Sequence, residues 1–453
     1  MPNDKSNFAT RRPLLASAVL SAFVSVSALR AAIAPHVTRT TVAGIDLLAY
    51  PTGVKDVVTL RGSFPAGKAL SPEANPALAS LTAMMMDKGT TTQDKFAIAG
   101  KLESVGATIS FTAGQQMVSI SAKCLKKDVP LVIALIAEQL RSPAFSAEEF
   151  AKVQKQFAGA MQRQLDDPDF RAADSYTRAV YPLGHPNYRS APADLLAAAA
   201  AAKLEDVKAF HARYYGPAQF TLVAVGDLDL PQLQAEVTHV FAGWTGGQRL
   251  SSAAKAASTD SSREQAVFMA DKTSVSIVLG QSTGLRASDP DALALDVGTA
   301  ILGSGFTGRL MANVRDKEGL TYGIYATTAG DTFVDGDFRI GATFAPELLE
   351  KGLASTRREL TAWCATGVTA EELARRQTNL VGEFKIGLAT TEGLADTLLT
   401  TVHRGQPLSW LDEYPERVAA LTPATVNATI KKYLKPESMF LIKAGTVPGG
   451  AGK

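Results

Sequence analysis

Two segments of this chain read as copies of one another, and a duplication limits the fold more tightly than any single motif. RYYGPAQFTLVAVGD, from Arg213, and KYLKPESMFLIKAGT, from Lys432, align Tyr214 with Tyr433, Pro217 with Pro436 and Gly226 with Gly445 at a constant separation of 219 positions. Upstream of each, Ser146-Ala147-Glu148-Glu149-Phe150 resembles Thr369-Ala370-Glu371-Glu372-Leu373. Two matches in the same order, at nearly the same interval, predict two copies of one domain.

At 453 residues, 46% of them hydrophobic, the chain is long enough for two such domains, each with its own core. Within the first copy the pattern alternates at 42–49 and 57–64, turns helical over 75–87 and 95–105, and predicts a hairpin of 108–112 with 116–123 around Ala113-Gly114. Long helices follow at 129–141 and 147–165, the second opened by Ser146 as a cap with Glu149 three residues on. Strands and helices in blocks place the fold in the α+β class. Between the copies, TGGQRLSSAAKAASTDSSREQ at 245–265 has the small, polar composition of a linker.

The N-terminus reads as an export signal: Lys5, Arg11 and Arg12 precede an uncharged apolar run at 13–29, followed by small residues. That run is shorter than a comfortable membrane span, so no stable insertion is expected once the signal is removed. Arg11-Arg12 resembles a twin-arginine signal but also suits ordinary secretion; either route predicts a periplasmic protein. A net charge of +2 argues against dedicated nucleic-acid binding, and Lys126-Lys127 is too short a patch to suggest it. Cys124 and Cys364 belong to no CxxC pair and read as small buried residues. The expected organisation is an export signal at 1–34, a first domain at 35–244, the linker at 245–265, a second domain at 266–447 and a tail at 448–453.

One stretch carries candidate chemistry. In ILGSGFTGRLMANVRDKEGLTYGIYA, from Ile301, Ser304, Gly305 and Gly308 lead into a helix that Gly319 stops, and a strand follows from Leu320. Arg315 in the last helical turn and Tyr322 on the strand can converge as two hydrogen-bond donors. On the residues alone, a helix-end cation and a strand aromatic account for both. The combination Arg315, Gly319, Leu320, Tyr322, however, resembles the Arg/Tyr signature in the second half of the pitrilysin and mitochondrial-processing-peptidase family of zinc peptidases. Gly184-His185-Pro186, Tyr214-Tyr215 and Val225-Gly226-Asp227 resemble first-half landmarks of the same family. The resemblance implies two homologous α/β-sandwich domains with antiparallel-rich sheets, joined by a linker and forming half of a clam-shell chamber.

It also implies where zinc machinery belongs. In the family an inverted zinc motif, HxxEH, puts two imidazoles one helical turn apart, with a glutamate as general base and a later glutamate completing the ligand set. Aligned on Lys88-Gly89-Thr90, the two His places and the Glu place fall on Ser80, Met84 and Ala83; aligned on Asp167-Pro168, the later ligand place is Ala160. A hydroxyl, a thioether and two methyl groups do not replace two imidazoles and two carboxylates for Zn²⁺. His36, His185, His211, His239 and His403 are scattered, with no pair at helical spacing. No metal or cofactor is therefore expected in this chain, and zinc is expected in a partner.

Such a half-kept constellation resembles the non-catalytic subunit of a two-chain family member, inactive alone. Its implied partner is a paralogous HxxEH-bearing chain in a heterodimer, and its implied substrate a peptide or unfolded polypeptide. Arg315 and Tyr322 would then act in the partner's zinc site. The alternatives are a purely structural scaffold of the same fold and, last, a self-sufficient peptidase, for which no nucleophile or carboxylate pair stands out.

Overall fold

A computed structural model describes residues 32–251 and 263–447. The greater part of the expected export signal (1–31), the middle of the linker (252–262) and the tail (448–453) lie outside the described residues. Two sheets organise the chain. The first contains β1 (Thr38–Val42), β2 (Ile45–Pro51), β3 (Val57–Phe64), β4 (Thr108–Ala113), β5 (Val118–Leu125) and β6 (Thr221–Gly226), in the order β1-β2-β6-β3-β5-β4. The second contains β7 (Glu264–Phe268), β8 (Val275–Ser282), β9 (Thr321–Ala329), β10 (Asp337–Phe344) and β11 (Phe440–Gly445), in the order β7-β11-β8-β10-β9.

Setting β1 aside, the two orders match strand for strand, and in each sheet a single neighbouring pair is parallel, β2 with β6 and β7 with β11. The repeated segments occupy the matching places β6 and β11. Their glycines have a physical reason to recur: Gly226 and Gly445 sit at φ 144° and 136°, and a Cβ on either would collide with a backbone carbonyl, of Val57 or of Ser274. The second repeated motif marks helix starts. Ser146 Oγ accepts from the Glu149 N–H at the start of the Ala147–Leu165 helix, and Thr369 forms a full capping box with Glu372 before Ala370–Gly387.

Where the sequence predicts one strand over 42–49, the chain instead makes a hairpin. Ala43 and Gly44 take φ 48° and 80°, so Val42 pairs with Ile45 across a two-residue turn. Alanine rarely adopts that conformation, which is why the turn carried no composition signal.

Beyond the strands, each half lends a helix to the other. Pro168–Val180, from the first half, packs on β8 and β11; Thr391–His403, from the second, packs on β3 and β6. The exchange creates two cores between the halves. Ala172, Tyr176 and Val180 meet Val278, Phe440 and Ile442, while Leu394, Ala395 and Leu398 meet Leu48, Val223 and Val225. Central strands β6 and β11 are consequently buried along their whole length, covered on both faces.

Candidate functional site

The stretch after Ile301 folds as a helix, a glycine-rich loop, a wide helical turn and an edge strand. Arg309 anchors it: its Nε and Nη2 grip Glu372 at 2.6 and 2.7 Å, and Nη2 also donates to Gly367 O at 2.8 Å. That bidentate contact holds the Glu372 carboxyl down at about 2. From Met311 to Lys317 the backbone winds as a π-helix, with Glu318 N–H donating to Asn313 O at 3.1 Å and Leu320 N–H to Val314 O at 3.0 Å. Leu310 and Val314 plug its inner side into the second core, which leaves Arg315 facing out. Single π turns recur at functional sites because they rotate a side chain away from helical register.

Gly319 ends the turn at φ 64°, and β9 begins two residues later. Its pairing with β10 slips there: Thr343 faces Gly323 while Phe344 faces Thr321, so Tyr322 is an extra, bulged residue. Thr321 Oγ1 clamps the bulge, donating to Thr343 O at 2.6 Å and accepting the Gly323 N–H at 3.1 Å. A bulge re-aims its side chain. Tyr322 is accordingly 89% exposed, whereas Ile324, next on the face it would share in an unbroken strand, is 2% exposed.

These devices bring the expected pair together. The Arg315 guanidinium carbon lies 5.6 Å from the centre of the Tyr322 ring and 5.3 Å from that of Phe306, within cation–π range of both. Nη1 reaches Asp316 Oδ1 at 3.1 Å, and the rest of the fork faces outward from a side chain 30% exposed. Phe306 was not predicted; a lone aromatic among Gly305, Thr307 and Gly308 is the signal that marks it, since at 72% exposure it is not core. Arg309, whose role depends on a partner 63 positions away, left no local signal.

At the positions where the resemblance would put zinc ligands, Ser80 and Met84 lie half-buried one turn apart on the Leu78–Met85 helix, and Ala83 is buried. Ala160 is half-buried on Ala147–Leu165, which packs against that helix. The scaffold for a two-helix site is therefore present, but its side chains do not fit Zn²⁺: one hydroxyl and one thioether are the only donors among them. Among the described residues no group of three or more His, Cys, Asp or Glu could hold a metal.

The remaining candidates have structural partners. His185 Nε2 lies 3.2 Å from Asp335 Oδ1 and its ring stacks on Tyr181; His211 Nε2 donates to Leu140 O at 2.8 Å; His403 Nε2 meets Ser63 Oγ at 2.5 Å. His36 and His239 are exposed. Burial pushes the Cys124 and Cys364 thiols up to about 12, so neither is a nucleophile at neutral pH.

Comparison with known proteins places this arrangement. Residues 50–186 match the insulinase family, peptidase family M16, and residues 201–380 match the peptidase M16 inactive domain, together well over half of the chain. The crystal structure of a peptidase M16 inactive domain from Pseudomonas fluorescens superposes with a TM-score of 0.84 at 27% identity, over 92% of this chain and 99% of that one. An uncharacterized zinc protease of Streptomyces coelicolor is 25% identical over 80% of each chain. A non-peptidase homolog of Helicobacter pylori, YmxG, is 21% identical over 82% of this chain and 85% of its own length. With two sheets of matching strand order and both halves matched, the chain belongs to the peptidase M16 family, its second half corresponding to the family's inactive domain.

Proposed function

We propose that this chain is the non-catalytic subunit of a two-chain zinc peptidase and lends Arg315 and Tyr322 to the site of an HxxEH-bearing partner. The observation that carries the reading is the pairing of a degenerate ligand set with an outward-facing guanidinium and phenol, each aimed by its own backbone irregularity. Burying neither donor, while spending a π-helix and a bulge to present both, suits a ligand from outside the chain.

The partner's zinc would supply an activated water and polarise the scissile carbonyl. What this chain adds follows from its own groups. As negative charge develops on the carbonyl oxygen, a positioned tyrosine hydroxyl donates to it, a contribution of about 3 kcal/mol for one preorganised donor. The planar Arg315 fork suits a backbone carbonyl or carboxylate of a peptide or unfolded polypeptide. Phe306 limits the orientations that fork can take.

The same reading includes export to the periplasm, on the strength of the charged and apolar N-terminal segment, and a clam-shell heterodimer in which each chain contributes two domains. Reconstitution tests it. The purified chain mixed with an HxxEH-bearing paralogue from the same organism should yield a heterodimer that cleaves an unfolded polypeptide, while this chain alone should not. A stable complex whose activity ignores Arg315 and Tyr322 would instead support the scaffold reading, and absence of any complex would sink both.

A further inference from the structure

A cavity of about 610 Å³ opens among the helices Ala292–Gly303, Ala370–Gly387, Thr391–His403 and Ser409–Ala419. Neither Arg315 nor Tyr322 lines it. One wall is aromatic: Phe384 and Trp410 pack on Tyr414 with ring centres 4.4 and 4.9 Å away. Against that wall stand an acid and a base. Thr328 donates to the Asp296 carboxylate, and burial pushes that carboxyl up to about 6. Among the described residues the Arg404 guanidinium has one ion-pair partner, Asp331, at 4.0 Å, and its Nε is buried with no hydrogen-bond partner there. Gln406 Oε1, in the same lining, is also buried without a partner.

The other charged groups around the opening have contacts of their own. Asp396 pairs with Arg61 at 2.6 Å, Arg417 with Glu413 at 2.7 Å, and Asp289 accepts the Arg286 N–H at 2.9 Å. What the cavity offers a ligand is therefore one carboxylate, one guanidinium and an aromatic face. A purely anionic ligand would meet Asp296 and a purely cationic one Arg404. A pocket of this size, with one aromatic wall and convergent polar groups, falls in the range of small-molecule sites, about 300–1,000 Å³.

We infer that this cavity binds a zwitterion, an amino acid or short peptide with free amino and carboxyl ends and a large apolar or aromatic side chain. Its carboxylate meets Arg404, its ammonium meets Asp296, and its side chain lies on Trp410 and Phe384. The inference stands apart from the proposed peptidase role, since no residue of the Arg/Tyr site takes part.

Isothermal titration calorimetry on the purified chain tests it with four probes: L-phenylalanine and glycyl-L-phenylalanine, which separate free amino acid from peptide, and N-acetyl-L-phenylalanine and L-phenylalaninamide, which each lack one charge. Saturable binding of at least one zwitterion is expected, weakened about tenfold or more when either end is blocked. Asp296→Asn should lose the preference against the acetylated probe, and Arg404→Gln the preference against the amide. Should either variant fail to fold, the wild-type comparison of charged and blocked probes still decides. No saturable heat from either zwitterion, or equal affinity for the blocked probes, overturns the inference.

Discussion

Tyr181 donates its hydroxyl to Asp337 Oδ2 at 2.6 Å, a bond that joins the end of the Pro168–Val180 helix in the first half to β10 in the second. Both residues are buried, at 2% and 1% exposure. Arg339 grips the same carboxylate through Nε and Nη2, each at 2.6 Å, and Tyr176 donates to Phe338 O at 3.0 Å alongside. Next to this cluster, Asn187 Nδ2 donates to Gly330 O at 2.9 Å and His185 faces Asp335. The Gly-His-Pro landmark thus has a structural meaning: it seals the junction between the halves.

Tyr181→Phe removes one donor from a buried carboxylate that keeps its arginine. The expected loss is about 1 to 3 kcal/mol of unfolding free energy, read from urea denaturation. Because the bond spans the halves, the variant should also show faster amide exchange in the Pro168–Val180 helix than in β3 and β5. Uniform exchange with unchanged stability would mean that the junction does not depend on this contact.

Acid stability should reflect two buried groups of opposite sign. Asp296 is raised to about 6, above its unfolded value of about 3.9, so its contribution is present at low pH and lost as pH rises through 6. His403 is lowered by burial to about 4, below an unfolded value of about 6.5, so its contribution is present above that value and lost as pH falls toward 4. Their slopes oppose one another across the same window. Asp296→Asn removes one of them, so its stability should climb more steeply than wild type between about pH 4 and pH 6, by about 2 kcal/mol at most. Parallel curves for the two proteins in denaturant titrations at several pH values would refute this.

The duplication was legible because Gly226 and Gly445 answer the same steric demand at the same place in two sheets. The strand and helix blocks were legible because Ser146 and Thr369 are true caps. By contrast, the exchange of helices between halves leaves little local trace, since an apolar stripe does not say whose sheet it covers; the fully buried pattern of β6 and β11 is its one consequence in sequence. At the candidate site, Arg315 and Tyr322 were legible only through the resemblance of Arg315, Gly319, Leu320 and Tyr322 to a family signature. The π-helix, the bulge and Phe306 were not, because each depends on pairing with β10 or on the path of the loop rather than on residue type.

Metal content follows from donor chemistry. After dialysis against a chelator, the purified chain should retain no stoichiometric zinc, because Ser80, Ala83, Met84 and Ala160 offer no ligand set on their two helices. One tightly held zinc per chain, with peptidase activity, would replace the subunit reading by that of a self-sufficient enzyme.

The sharpest prediction concerns the two donors and the ring that holds them. In the assembled enzyme, Arg315→Ala and Tyr322→Phe should each lower kcat/KM by about 2 to 4 kcal/mol, the range for losing one preorganised donor, with zinc content and assembly unchanged. Acting on one substrate, they should couple, so that the double variant loses less than the sum of the singles. Phe306→Ala touches neither donor directly. It removes the ring whose centre lies 5.3 Å from the Arg315 guanidinium, so it should cost about 0.5 to 1 kcal/mol. That cost should vanish in the Arg315→Ala background, because without the guanidinium the ring has nothing left to orient. A Phe306→Ala effect that persists there would assign the ring to direct contact with the substrate, and full activity in both single donor variants, with the complex intact, would leave only the scaffold.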